Sequence, residues 1–415
     1  MPHSAKPRVV CVVGTRPEAI KMAPVVLELR RYADRIETVL VSTGQHREML
    51  IQALAAFDLA PDRDLEIMQH GQTLAQVTSR AMEGLDGLIQ ELRPDMLMGQ
   101  GDTTTTFVTA LAAFYRQISF AHVEAGLRTD TIDNPFPEEF NRRAAGLVTR
   151  IHLAPTRWAA ENLLREGKSP DSIHVTGNTG IDAVRLAAEA SHEEWCQEHP
   201  GRVVLLTTHR RENWGDPQKR IAQAALEILE RFEDVLLVVP MHRNPDVRRT
   251  LVGAFGIENS ELGRASGRDA DDHRDTKDTK SLEAPKSKTQ NPRSRVRLIE
   301  PPDYAPFVKL MQRSAIILSD SGGVQEEAPA FGIPVLVLRD TTERPEGVEA
   351  GTAKLVGTDR TRIVAEATEL LGNPAAYERM AHAVSPYGDG NAAKRIRYVV
   401  AKELGVSTPQ EQMWT

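Results

Sequence analysis

Ser319-Asp320-Ser321-Gly322-Gly323-Val324-Gln325-Glu326-Glu327 is the stretch whose reading decides the fold. It follows the apolar run 315–318, which reads as a strand buried in a parallel sheet. It precedes Ala328-Pro329-Ala330-Phe331-Gly332, which reads as a helix closed by a glycine. Strand, small-residue turn and helix together leave backbone N–H groups free at a positive helix end. The adjacent glycines let a phosphate approach that backbone, and Ser321 adds a hydroxyl donor. Glu326 and Glu327 follow about one turn later, where a carboxylate suits ribose hydroxyls. Taken alone, Ser-Gly-Gly is an ordinary strand-to-helix loop. What lifts it is the rest of the chain, which supplies the cations and carboxylates that suit a nucleotide diphosphate.

Composition bounds the rest. A chain of 415 residues is long for one core, so two domains are expected. A formal charge of −7 speaks against a nucleic-acid partner. Residues 1–7 hold no apolar targeting core, and no stretch is long enough to span a bilayer, so a cytoplasmic protein with no membrane partner is expected. Cys11 and Cys196 give neither a metal spacing nor a disulfide framework, and no metal site is expected.

Outward from the opening stretch, charged residues recur where apolar runs end. Strand 8–13 leads into Gly14-Thr15-Arg16-Pro17-Glu18 and a helix through Lys21 to Arg31, with Pro17 at a favoured helix start. Arg16 and Lys21 therefore fall at a strand's carboxyl end, where open α/β sheets bind ligands. Strand 38–42 is followed by Gln45-His46-Arg47 and a helix to Phe57, and a long helix runs from Gln72-Thr73 to Leu92. Strand 95–99 runs into Gly101-Asp102-Thr103-Thr104, whose threonines cap a helix ending near Tyr115. Asp102 is suited equally to a turn and to catalysis. Strand 118–123 ends in Glu124, a carboxylate that must be paired or functional if buried. Pro137 starts a helix on which Glu138 and Arg142 are four apart, either a surface ion pair or part of a site.

Strand 151–154, a helix over 156–166 and strand 173–175 close the first half, and residues 191–200 read as a polar helical bridge. Strand 202–207 then delivers His209-Arg210-Arg211-Glu212, a histidine among cations suited to an anion, and strand 235–239 delivers His242. Residues 259–294 are rich in charge and nearly lack aliphatic side chains, so they read as a solvated, disordered insertion. Strand 296–299, helix 304–313 and strand 335–338 complete the second series, with helices over 360–371 and 391–403 outside. The fold class expected is α/β: two Rossmann-like parallel-sheet domains facing a central cleft. The first spans 1–182 and carries most of the catalytic carboxylates. The second, expected over 183–385, carries the glycine-rich stretch suited to a nucleotide diphosphate (UDP on the resemblance given below), and a C-terminal helical segment, 386–415, is expected to return to the first domain.

Taken in order, these motifs resemble the non-hydrolysing UDP-N-acetylglucosamine 2-epimerases, which share their two-domain fold with GT-B glycosyltransferases. The motifs that carry the likeness are Gly14–Lys21, Gln45-His46-Arg47, Gly101–Thr104, His122–Arg128, Pro137-Glu138-Glu139, His209–Glu212, Asp320–Gly323 and Arg339–Glu346. The resemblance implies epimerisation at C2 of UDP-N-acetylglucosamine to UDP-N-acetylmannosamine by elimination and re-addition of UDP, with no cofactor. It implies Asp102, Glu124 and Glu138 as the essential carboxylates, the acid and base among them left open, with Arg142 and His209 beside them. Arg16, Lys21, Ser321, Gly322, Gly323, Glu327 and Arg344 would bind substrate, and Phe307 would line the uracil pocket. Gln45, Gln72, Arg211 and His242 match a regulatory substrate site, although Gly71 stands where some members have a basic residue. Pro302 likewise replaces a polar residue of some members near the uracil. A homodimer is implied. The rival readings are a hydrolysing epimerase releasing UDP and N-acetylmannosamine, a GT-B glycosyltransferase, and an inactive nucleotide-sugar binding module.

Overall fold

A computed structural model of the protein describes residues 6–44, 47–69, 71–129, 131–190, 192–257, 291–342 and 344–414. The chain divides into two compact units, Met1–Ser191 with Asp303–Val308 and Ser385–Thr415, and His192–Pro302 with Lys309–Val384.

The first unit alternates strand and helix: β1 (Arg8–Val13), α1 (Arg16–Arg30), β2 (Glu37–Ser42), α2 (Arg47–Ala55), β3 (Arg63–Asp64), α3 (Leu74–Leu92), β4 (Met96–Gln100) and α4 (Thr104–Tyr115). It continues through β5 (Ser119–Val123), α5 (Glu138–Val148), β6 (Ile151–Ala154), α6 (Arg157–Arg165), β7 (Ile173–Val175) and α7 (Thr179–Ala190). The strands form one sheet in the order β3-β2-β1-β4-β5-β6-β7, every pairing parallel. The central strands β1 and β4 are buried without alternation, as parallel strands covered on both faces are, and β1 buries Val9 to Val13 almost completely.

The second unit repeats the scheme with β8 (Arg202–Thr207), α8 (Asp216–Arg231), β9 (Val235–Pro240), α9 (Pro245–Phe255), β10 (Val296–Ile299), α10 (Tyr304–Arg313) and β11 (Ile316–Ser319). There follow α11 (Gly322–Glu327), β12 (Val335–Val337), α12 (Pro345–Glu349), β13 (Ala353–Leu355), α13 (Arg360–Gly372) and α14 (Pro374–Ala381). Its order is β10-β9-β8-β11-β12-β13, again wholly parallel, over a core of β-branched residues and leucines such as Val204, Leu237, Ile316 and Ile363. The last helix, α15 (Ala392–Glu403), belongs to the first unit, where Arg397, almost fully buried, pairs with Glu28 and Glu411.

Two parallel-sheet α/β domains are thus what the chain builds. Strand order reverses direction between β1 and β4 in the first sheet and between β8 and β11 in the second. At such a switch point the two neighbouring carboxyl-end loops leave in opposite directions and open a crevice.

Two local readings of the sequence need correction. Residues 192–200 form no helix, and the helix lies before them as α7. There the Glu193 carboxylate accepts from the backbone N–H groups of Trp195 and Cys196 at 3.0 Å each, closing a turn in place of a helical ladder. The insertion set at 259–294 lies largely outside the described residues, but its last four residues do not belong to it. Asn291 caps a short 3₁₀ turn, Pro292–Arg295, that feeds β10. Arg295 there donates to the carbonyls of Leu229, Phe232 and Val235, fixing the turn to the sheet.

Candidate active site

In the first unit the switch-point loops bring charged residues together. Thr15 N-caps α1, which carries Arg16 at its first position and Lys21 in its second turn. The strand end after β4 turns at Gly101, which has a φ of +76° that glycine adopts without strain. Asp102 follows, and Thr103 caps α4 by accepting from Thr106 N.

Asp102 accepts from Arg142 Nη2 at 2.5 Å, while its own backbone carbonyl accepts from Asn141 Nδ2 at 2.9 Å. Arg142 Nη1 lies 3.3 Å from Glu139, a fully buried carboxylate that also accepts from Arg143 Nε at 2.6 Å. Arg142 thus lies between two carboxylates, Asp102 and Glu139, rather than pairing with Glu138 one helical turn away. Burial pushes the Asp102 carboxyl above the usual range; Arg142 and Lys21 pull it down and Glu138 pushes it further up.

Glu124 ends β5 with φ +63°, a left-handed conformation rare outside glycine and one that carries strain. Its two carboxylate oxygens are held separately, one by Lys21 Nζ and the other by Gln100 Nε2. Asp102, Arg142, Lys21 and Glu124 therefore form one cluster at the ends of β4 and β5. Behind it His122 is fully buried with Nε2 2.6 Å from the Gly101 carbonyl, and burial lowers its pKa to about 4. Arg16 is half-buried, and among the described residues it makes no ion pair.

In the second unit the centre is Asp320, with no exposed surface, at the end of β11. It accepts from the backbone N–H groups of His209 and Arg210, from Thr208 Oγ1 at 3.1 Å and from Asn213 Nδ2 at 2.9 Å. It also lies 2.9 Å from His209 Nδ1. Burial raises its pKa, but the bonds from His209, the Arg210 amide and Asn213 outweigh it and hold the carboxyl below its usual value. The contact occupies Nδ1 of an otherwise exposed imidazole, which leaves Nε2 as the ring nitrogen for a ligand. Ser321 occupies the N-cap position of α11 without a capping hydrogen bond from its side chain, and the first two residues of the helix are Gly322 and Gly323. A side chain at Gly322 would press on the Arg344 guanidinium at 3.3 Å, and Arg344 Nε is in turn held by Glu326 at 2.7 Å. Glu327 is half-exposed one turn along, its Oε1 3.8 Å from where a Gly323 side chain would begin.

The remaining candidates fall in both units. Phe307 groups with the first unit, and Ser321 to Gly323 belong to the second. Gln45 lies outside the described residues. Gln72 accepts from Gln69 N and Arg80 Nη1 within the first unit. Arg211 and His242 are exposed in the second unit, His242 with its ring centre 6.4 Å from that of Trp214. The residues that the sequence reading missed are those that hold others in place: Glu18, Gln100 and Glu139, with Asp320 as the partner of His209. Only Glu18 had a local signal, the Thr15-x-x-Glu18 capping box. Among the described residues no His, Cys, Asp and Glu cluster has the makings of a metal site, and no helix is long and apolar enough to cross a membrane.

A family model described as UDP-N-acetylglucosamine 2-epimerase matches residues 28–401. A UDP-N-acetylglucosamine 2-epimerase of Bacillus subtilis is 48% identical over 412 residues, covering 99% of each chain. The crystal structure of the Neisseria meningitidis UDP-GlcNAc 2-epimerase bound to UDP-GlcNAc is similar at 42% identity and a TM-score of 0.76, covering 95% of this chain and 100% of that one. A glycotransferase of kitacinnamycin, 12% identical with a TM-score of 0.61 over 96% of this chain and 99% of that one, shares the fold alone.

Proposed function

Since the chain belongs to the UDP-N-acetylglucosamine 2-epimerase family, we propose that it interconverts UDP-N-acetylglucosamine and UDP-N-acetylmannosamine without net hydrolysis. A carboxylate takes the C2 proton. The C–H electron pair becomes the C1=C2 bond, and the C1–O bond breaks with its electrons leaving on UDP. UDP oxygen then returns to C1 while a proton is delivered to the opposite face of C2.

The observation that carries this reading is the cluster at the ends of β4 and β5. It holds two carboxylates, each with its own cation: Asp102 with Arg142 and Glu124 with Lys21. Elimination and re-addition require one group that accepts a proton and another that gives one, and neighbouring charges of this kind separate the two tasks. We assign the base to Asp102, which burial makes more basic than an ordinary aspartate, and we place Glu124 and Glu138 at the returning proton. In the second unit His209, oriented by Asp320, and the Ser321–Gly323 start of α11 with Arg344 are suited to the diphosphate, with Glu327 at the ribose. Phe307 is assigned to the base of the nucleotide. Arg211, His242 and Gln72 with Gln45 are kept as a regulatory set, tested by whether UDP-N-acetylglucosamine accelerates the reverse reaction. Supply of amino sugars for cell-surface polysaccharide, from the cytoplasm, is the role that this chemistry suits.

A homodimer is part of the same proposal. Phe107 and Phe140 stack edge-on at 5.6 Å between α4 and α5, and two turns later Phe114 and Leu147 are 59% and 78% exposed. An apolar seam shared by two packed helices fits a second copy of itself. Leu147→Glu is expected to yield a monomer in analytical ultracentrifugation, and an unchanged sedimentation coefficient would refute the seam.

Product analysis by proton NMR tests the reaction. UDP-N-acetylmannosamine accumulating to a fixed ratio with its precursor is expected; free N-acetylmannosamine with stoichiometric UDP would make the enzyme hydrolysing.

A further inference from the structure

Glu18 takes no part in the reaction described above, yet it is 1% exposed and surrounded by donors. Its Oε2 accepts from Gly14 N at 3.0 Å, Thr15 N at 2.7 Å and Thr15 Oγ1 at 2.8 Å. Its Oε1 accepts from Thr103 Oγ1 at 2.5 Å and Thr106 Oγ1 at 3.2 Å. A capping box explains the first three bonds, which finish the start of α1. It does not explain the last two, which reach 85 and 88 residues along the chain and contribute nothing to α1.

Those bonds join two loops. The Gly14–Thr15 side precedes Arg16, and Thr103 follows Asp102 directly. Gly14 also packs closely on the first turn of α4, since a side chain there would begin 2.1 Å from the Thr105 hydroxyl, with that of Thr43 after β2 at 2.6 Å. A carboxylate whose oxygens are shared between two loops resists displacement of either one, because any shift leaves a buried donor or acceptor unpaired. Burial pushes the Glu18 carboxyl upward, while the bonds from Thr103 and Thr15 favour its anion.

We propose that Glu18 is a positioning residue that clamps the loop after β1 to the start of α4 and so fixes the Asp102 carboxylate relative to Arg16 and Lys21. This assignment rests on the epimerase reading, with Asp102 as base.

The test uses steady-state kinetics and pH profiles of the wild type, Glu18→Gln, Thr103→Val, Thr103→Asp and Thr103→Ser. A misplaced general base lowers kcat and leaves substrate affinity almost untouched, by about 100-fold for a displacement near an ångström. Glu18→Gln is expected to lose about 100-fold and Thr103→Val about tenfold in kcat, with KM within about twofold, and Thr103→Ser to recover wild-type kcat. Thr103→Asp keeps an acceptor for the α4 cap but offers no donor to Glu18, so it is expected to fall with Thr103→Val. Should Glu18→Gln fail to fold, the Thr103 variants decide. Thr103→Val or Thr103→Asp turning over within twofold of wild type would overturn the clamp. So would losses in kcat matched by equal rises in KM, or an acid limb of kcat unmoved in both. A wild type that forms no epimer would instead sink the underlying reading, and the clamp with it.

Discussion

The two switch points are built alike and hold charge differently. In the first unit the carboxylates face cations: Asp102 meets Arg142, and Glu124 meets Lys21. In the second unit one carboxylate, Asp320, is sunk out of solvent and spends its lone pairs on backbone amides, Thr208, Asn213 and His209. A paired, partly accessible carboxylate can exchange a proton with a ligand. A buried one satisfied on all sides orients its neighbour. The difference fits the division of labour proposed above: proton transfer in the first unit, and leaving-group handling by a histidine and the glycine start of α11 in the second.

The largest effect that would break this comparison is the loss of the proposed base. Asp102→Asn is expected to lower kcat by about 10³-fold while leaving UDP affinity within twofold, as measured by calorimetry. If UDP affinity collapses instead, the carboxylate belongs to binding. Next comes Asp320→Asn, which leaves buried donors facing an amide and removes the anion that orients His209. A loss of about 10–100-fold in kcat is expected, with a lower Tm, because orienting partners of this kind carry effects of that size. A variant as active as wild type would remove His209 from the chemistry. Gly322→Val sharpens the second half: its side chain would press on Arg344, so UDP affinity should fall about tenfold.

The pH dependence is a smaller but directional test. Asp102 must be ionised to act as a base, and its carboxyl lies above the ordinary value of 3.8. The rate should therefore fall as pH drops through a point higher than that value. In Arg142→Met, with the lowering cation gone, the fall should begin at still higher pH. Stability has its own window. His122 and His152 have folded pKa values lowered to about 4 and about 3, against an ordinary 6.5. A depressed folded value means that their contribution is complete above pH 6.5 and is lost as pH falls toward about 4 for His122 and about 3 for His152. Acid unfolding accompanied by proton uptake should shift to lower pH in His152→Phe, and an unshifted midpoint would show that other groups control it.

Much of the fold was legible because the parallel sheets bury β-branched runs that no other element needs. β1, β7, β8 and β10 fall on the runs read from the sequence, and α10 falls on its helix. β3 escaped notice because two residues carry no period, and residues 192–200 misled because the Glu193 turn has the composition of a helix. The candidate site was legible wherever a motif places a charge after a strand. Its wiring was not. Arg142 meets Asp102 across 40 residues of chain, and Asp320 reaches the His209 amide across 111. Local spacing offered Arg142 the nearer Glu138, and only the packing of α4 against α5 decides otherwise.

The most direct measurement is proton NMR of the wild type and Asp102→Asn with UDP-N-acetylglucosamine in deuterated water. The wild type should place deuterium at C2 as the epimer forms, and Asp102→Asn should show neither exchange nor product at comparable protein concentration. Deuterium wash-in by Asp102→Asn at the wild-type rate would contradict the assignment of the base, and epimer formed with its C2 hydrogen retained would contradict proton abstraction itself.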